Sequence, residues 1–359
     1  MTIYIVGFIF SMLLGKIILG LNTWQSSTGR KKLYLILFCA FWAILCGCRS
    51  TSMTYDTSQY ELIFKSMPST FSEYRDFSSY LEPGYVFLCF ITKLLGGDFQ
   101  IHLVLCSLFI VGGVCSFIFK YSPNVLFSTF LILCFPYYYT SYDIMRFYLG
   151  ITFFLFSFKY IQAQNFVKFL LLILLGISFH YSIAFFLPFY FIKYIKINRA
   201  LIILSFVLTF FISNLIVPIA NMILGPESIY VDGSYWIGED AGGVKTSIMY
   251  CVLFFIIYYQ TNNIHIDKNV KDCYVLLLLL LALSSILFVN ARMMIRFMVS
   301  FMPFMAVGIP IVLNPVNTIS RSQRNFVCTL VVLIALAYHA FLLITNWQNI
   351  VPYVPYWEN

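Results

Sequence analysis

Residues 82–98 read EPGYVFLCFITKLLGGD. Pro83 and Gly84 open the stretch, Gly96 and Gly97 close it, and the apolar core between them is short. A membrane span needs about 20 mainly apolar residues. Whether this stretch crosses decides the topology, because the other apolar runs are longer or easier to place. Twelve such runs occur, at 2–21, 33–48, 99–119, 124–140, 144–160, 166–179, 181–196, 199–221, 245–260, 273–289, 294–313 and 326–345. Hydrophobic residues make up 61 % of the 359 positions and charged residues only 10 %. Mean hydropathy is +0.88. Soluble domains carry about 25 % charged residues. The expectation is therefore an all-α, polytopic transmembrane helical bundle of about 12 spans, with 1–359 forming a single integral membrane domain.

Charge supplies the sidedness. The net charge is +8, but the basic residues are scattered between apolar runs, which speaks for topology and against nucleic acid. Arg30–Lys32, Lys120, Lys159, Lys168, Lys193, Lys196, Arg199, Lys268, Lys271, Arg321 and Arg324 all fall at turns assigned to the cytoplasm, 13 of the 22 basic residues. That assignment closes only if 82–96 enters and returns on one face. Such a re-entrant segment is tolerated where protein and a polar cavity surround it. The longest outer loops are then 49–81 and 222–244. The first run, Thr2 to Leu21, lacks a small-residue cleavage site and reads as a span. The ten cysteines show no CxxC and sit mostly in apolar segments, as small core residues do.

This topology collects polar chemistry at the outer face: Arg49, Asp56, Glu82, Arg146, His180, Arg292 and Arg296. Asp56, Tyr60 and Phe64 recur every fourth residue and share a helical face. Asp56 also reads as a helix N-cap with Gln59 three residues on. Arg49 ends a span, where an arginine can snorkel to headgroups. Arg146 is less easily dismissed, since it stands inside an apolar run after Tyr137, Tyr138, Tyr139 and Tyr142, with Asp143 available at i,i+3. His180 sits at an outer turn between two short apolar segments, and its ordinary pKa suits proton transfer. Arg292 and Arg296, four apart, would repel unless an anion lay between them. Arginine forks match phosphate oxygens, while carboxylates and tyrosines suit sugars. No metal is expected, because no metal-ligand spacing occurs on the outer face. No cofactor is expected either.

Five blocks carry a resemblance: CRSTSMTYDTSQYELIF, EPGYVFL, DIMRFYLGITFFLFSFKYI, GISFHYSIAFFLPFYFI and NWQNIVPYVPYW. In these the chain resembles the EpsG-type polysaccharide polymerases, related to the Wzy-type O-antigen and capsule polymerases. Phe147 departs from the glutamine that many relatives carry after the arginine. The resemblance implies a GT-C-like bundle and a metal-independent glycosyltransferase in the bacterial cytoplasmic membrane. Its site would face outward and join undecaprenyl-diphosphate-linked oligosaccharide repeat units. Membrane lipid, a flippase and a chain-length regulator are the implied partners. On this reading Arg49, Arg146, Arg292, Arg296, Tyr60 and Tyr142 hold the diphosphate and sugar, and the base is His180, Asp56 or Glu82, with His180 ranked first. Two rival functions remain. A sugar acyltransferase would need its donor from the cytoplasmic side, and a lipid-linked oligosaccharide flippase would need charges lining both leaflets.

Overall fold

The computed structural model describes residues 1–77, 81–224, 243–261, 264, 266–316 and 320–358. Among the described residues there are helices and no strands, apart from isolated bridge residues such as the pair Arg49 and Pro355. The all-α expectation holds. The core of the outer loop expected at 222–244 falls on 225–242, outside the described residues. Contacts divide the chain into two compact units, Met1–Ile192 with Ala337–Asn359, and Lys193–Leu336.

Six helices among the described residues are long and apolar enough to cross a membrane. In the first unit these are α1 (Thr2–Leu19) and α6 (Phe99–Tyr121). Between them lie α2 (Thr28–Gly47), α3 (Tyr55–Ser66), α4 (Phe71–Asp76) and α5 (Pro83–Leu94). Side-chain caps start several of these elements: Ser27 for α2, Thr54 for α3, Thr70 with Glu73 in a capping box for α4, and Asp98 for α6. Thr54, not Asp56, is the cap of α3; Asp56 lies in the first turn, where its negative charge suits the helix N-terminus.

Hydrogen bonds fix the two ends of this unit. At one end Lys31 Nζ donates to the Pro123 carbonyl at 3.2 Å, and Asn124 Nδ2 donates to Thr23 Oγ1 at 3.0 Å. At the other, Gln100 on the first turn of α6 donates to the Gly47 carbonyl, so α2 and α6 run antiparallel. The chain then turns through α7 (Val125–Cys134) and the single turn α8 (Tyr137–Thr140) into α9 (Met145–Gln162) and α10 (Phe166–Ile177). The run expected as one span at 124–140 is thus broken at Phe135–Pro136, because proline ends a helix before it. The run at 181–196 is a 3-10 helix, Tyr181–Tyr194, with Pro188 inside it. It folds back along its predecessor, with Phe186 stacked on Phe154 and Tyr190 against Phe169.

The stretch 82–98 does not run from one end of this unit to the other. Glu82, before α5, meets the Ser178–Tyr181 turn through Gly84 N–H on the Ser178 carbonyl (2.7 Å) and Tyr181 N–H on Glu82 Oε1 (3.4 Å). Tyr85, Cys89 and Thr92 then all touch His102, which lies on the first turn of α6. Helix α5 therefore lies across the start of α6, and both its ends belong to the Gly47 end. His102 itself is a buried, hydrogen-bonded hub of that crossing.

The second unit holds α11 (Arg199–Leu224), α12 (Val244–Gln260), α13 (Lys268–Asn290) and α14 (Ile295–Val312), with the first part of α15 (Arg321–Ile344). Asn290 Nδ2 bonds the Ser213 carbonyl at 2.9 Å, and Phe206 stacks on Phe255. These contacts hold α11 to α13 and to α12.

Candidate active site in the first unit

Arg146 stands on the first turn of α9 and is the centre of the site. Its Nη1 donates to Glu82 Oε2 at 2.7 Å, with 21 % of the arginine side chain and 6 % of the glutamate exposed. The guanidinium also lies 5.6 Å from the ring centroids of both Tyr60 and Tyr85, within the range of cation–π attraction. Arg146 Nε–H and the Tyr85 hydroxyl are buried without an oxygen or nitrogen partner among the described residues. A buried donor without an acceptor is costly. The Tyr85 hydroxyl has only the weak acceptor Cys89 Sγ, so it and Arg146 Nε–H mark a place where a ligand oxygen gains binding energy.

The local folding that permits this is legible residue by residue. Pro83 takes the first helical position of α5, where its missing N–H costs nothing. Gly84 lets the α5 backbone approach the α10 turn: a Cβ there would stand 2.4 Å from Ser178 Oγ and 2.7 Å from its carbonyl oxygen. A second close approach joins α9 and α10, where a Cβ on Gly150 would lie 3.0 Å from the Gly176 carbonyl. Glu82, Arg146 and the Ser178–Tyr181 turn are brought together by these two contacts.

His180 closes one side. Its ring is edge-on to Phe147 at 5.3 Å, and Ser182 N–H donates to Nδ1 at 3.2 Å. That bond engages the Nδ1 lone pair, so the neutral ring carries its proton on Nε2. The other side is formed by α3. Asp56 N–H donates to Asp143 Oδ1 at 3.3 Å. Burial, and then the nearby Asp56 carboxylate, push the Tyr60 phenol above its ordinary pKa, with Arg146 opposing. Tyr60 is therefore a neutral phenol throughout the working pH range. Asp56, Tyr60, Glu82, Arg146 and His180 are thus gathered at one end of the unit.

Arg49 and Tyr142 take a different place. Arg49 is 0 % exposed. It donates to the Cys46 carbonyl, to Thr57 Oγ1 (3.1 Å) and to the Tyr142 carbonyl (2.8 Å), and lies over the Tyr142 ring. The Tyr142 hydroxyl pairs with Tyr138 at 2.8 Å. Arg49, expected as a contact to the diphosphate and sugar with interfacial snorkelling as the alternative, is enclosed and clasps the end of α2, the start of α3 and the turn before α9. Arg292 and Arg296 belong to the second unit, which stands by itself. Arg292 opens a 3-10 turn, Arg292–Met294, and Arg296 follows in α14. The two therefore do not sit one α-helical turn apart on a single α-helix.

Sequence reasoning missed Tyr85 and Gly84, and weighed Asp143 only as a neighbour of Arg146. Tyr85 and Gly84 lie in a stretch read for crossing and not for chemistry. The available signal was Tyr85 three residues after Glu82, the spacing of one helical face.

The EpsG family profile matches residues 32–354. The chain belongs to the EpsG family. Comparison with curated proteins gives no match, and neither does comparison with solved structures. The matched span contains every residue of the site just described. Membership in the EpsG family carries a polysaccharide-polymerase-like role in general, and the apolar helices make it a membrane protein.

Proposed function

We propose that this EpsG-family chain is a glycosyltransferase that joins undecaprenyl-diphosphate-linked oligosaccharide repeat units at the outer face of the bacterial cytoplasmic membrane. One observation carries the reading: a half-buried arginine clamped by Glu82 at 2.7 Å, with unsatisfied donors beside it, at the end of a membrane bundle. A diphosphate leaving group needs charge stabilisation at the moment its bond breaks. Preorganised donors in a water-poor site supply this without reorganisation.

In the proposed step the acceptor hydroxyl oxygen attacks the anomeric carbon of the donor glycan. The bond from that carbon to the diphosphate oxygen breaks, and its electron pair leaves with the diphosphate. Arg146 and the Tyr85 hydroxyl receive the developing charge, and His180 Nε2–H donates to the same group. The hydroxyl proton passes to a carboxylate. Asp56, on α3 beside Tyr60, is proposed as that base, ahead of His180 and of Glu82, which holds Arg146. Arg49 and Tyr142 act as positioning residues for α3. A flippase and a chain-length regulator of the same pathway are the proposed functional partners. An acyltransferase is disfavoured because a thioester donor gives no reason for an arginine–glutamate clamp with spare donors.

The test uses purified protein with a synthetic lipid-linked repeat unit, scoring product ladders and substrate binding separately. Arg146→Lys keeps the charge but loses the planar fork and two donors, and extension should fall about 100-fold or more. Asp56→Asn should abolish extension with binding retained, while His180→Gln keeps partial activity. Extension should survive chelator. Full ladders from Arg146→Lys, or a strict requirement for added divalent cation, would sink the arginine-clamp mechanism. Ladders lost only in His180→Gln would return the base to His180.

A further inference from the structure

A cavity lies one helical turn along α3 from Tyr60, at Phe64. It measures about 500 Å³ and is bounded by Glu61, Phe64 and Lys65 of α3, by Asp98 and Gln100 at the start of α6, and by Tyr356 of the C-terminal tail. We infer that this cleft is a saccharide subsite that holds the growing glycan next to the site of transfer. The inference rests on the polymerase reading and extends it to the chain already made.

Its chemistry excludes the other ligands of the reaction. Two carboxylates, Glu61 and Asp98, face two ammonium groups, Lys65 and Lys93, so the lining is close to neutral. The charges are largely committed among themselves. Lys65 Nζ pairs with Glu61 Oε1 at 2.8 Å, Lys93 Nζ donates to the Lys65 and Met67 carbonyls, and Asp98 Oδ1 caps Ile101 N–H at 2.9 Å. A diphosphate finds no spare guanidinium here, and a polyprenyl tail would desolvate the ion pair. A polyhydroxylated ligand loses nothing, because each hydroxyl is both donor and acceptor and can share these groups without displacing them. Tyr356 adds a ring that is 43 % exposed, the kind of apolar face on which the C–H side of a pyranose rests.

Position ties the cleft to transfer. Helix α3 is the common wall: Tyr60 faces Arg146, and Phe64, one turn further along, lines the cleft. One turn of α-helix advances about 5.4 Å. The tail is fixed where it can complete the cleft, since Tyr356 N–H donates to the Cys48 carbonyl at 3.0 Å and Ser50 N–H to Val354 at 2.7 Å. A site for the made glycan beside the transfer site would keep the product attached between additions. The readout is therefore product length, separable from the joining step.

The probe is a lipid-free oligosaccharide of a few repeats, released from the polymer of the cells that carry this chain, with binding measured by saturation-transfer NMR on the purified full-length protein. Wild type should bind it. Tyr356→Ala and Glu61→Ala each remove one contact and should weaken binding about tenfold. Both should shorten the ladders while joining of the first two lipid-linked units continues at the wild-type rate. Tyr356→Trp keeps a ring and should restore length, which a general loosening of the tail would not allow. Arg146→Lys should block joining yet leave oligosaccharide binding intact. Wild-type protein that fails to bind the oligosaccharide, or Tyr356→Ala with full binding and full ladders, overturns the subsite. Failure of wild type to join units, with the oligosaccharide still bound at Tyr356, would instead overturn the polymerase reading.

Discussion

At the residue scale the contrast between Arg146 and Arg49 is instructive. Sequence set Arg49 at the end of an apolar run and Arg146 a few residues inside one, but gave no partner for either beyond Asp143. Burial and partners separate them: Arg146 is partly exposed and clamped by one carboxylate, whereas Arg49 is enclosed and donates to two carbonyls and a threonine hydroxyl, although each keeps a buried, unpartnered Nε–H. The Glu82–Arg146 pair joins residues 64 apart in sequence, and a contact of that range leaves no periodic trace in one chain. Different mutational signatures follow. Arg49→Met should act on stability, because it removes three charged hydrogen bonds, to the Cys46 and Tyr142 carbonyls and the Thr57 hydroxyl, from a closed interior. A loss of about 3 kcal/mol or more is expected from charged hydrogen bonds removed together. The measurement is thermal unfolding in detergent, set beside oligosaccharide-ladder activity. Arg49→Met protein that melts like wild type yet is inactive would make Arg49 a ligand contact and not a clasp.

At the element scale, helix type and packing explain what was and was not legible. Apolar runs foretold most helices, since backbone groups in a membrane must be satisfied within the segment. They could not tell a 3-10 helix at Tyr181–Tyr194 from an α-helix, because an all-round apolar stretch carries little periodicity to read. The short helix α5 was legible as an exception from its proline–glycine start and glycine–glycine end. Its orientation depends on the crossing at Gly84, which only a three-dimensional approach reveals. Gly84→Ala therefore makes a sharp test. The added Cβ would collide with Ser178 Oγ and with its carbonyl oxygen. The carbonyl cannot swing away, since it accepts Gly84 N–H. The variant should move Glu82 off Arg146 and cut extension about as severely as Glu82→Gln, with lowered thermal stability. Ser178→Gly in the same chain should not rescue it, because the backbone clash stays. Wild-type extension by Gly84→Ala would show that the Glu82 clamp does not depend on this crossing.

At the scale of the whole molecule, the positive-inside argument and the contacts in the first unit bear on the same question from independent sides. Charge counting demands that 82–96 return to the face it left. Hydrogen bonds from its neighbours place Glu82 by the Ser178–Tyr181 turn, and Tyr85, Cys89 and Thr92 against His102. Leu95, just past α5, is 80 % exposed and so gives a clean probe. In a background freed of the ten native cysteines, single cysteines at Ser58 and Leu95 should react with a membrane-impermeant maleimide in intact cells. Gln162, at the far end of α9, should react only after the membrane is opened. Asn269 and Ser322 test the second unit on its own and should also be protected until then. Leu95 protected in intact cells while Gln162 reacts from outside, the reverse of this pattern, would mean that α5 crosses. The parity of every later segment would then reverse, and Arg146 and His180 would move to the cytoplasmic side, where a flipped lipid-linked unit could not reach them.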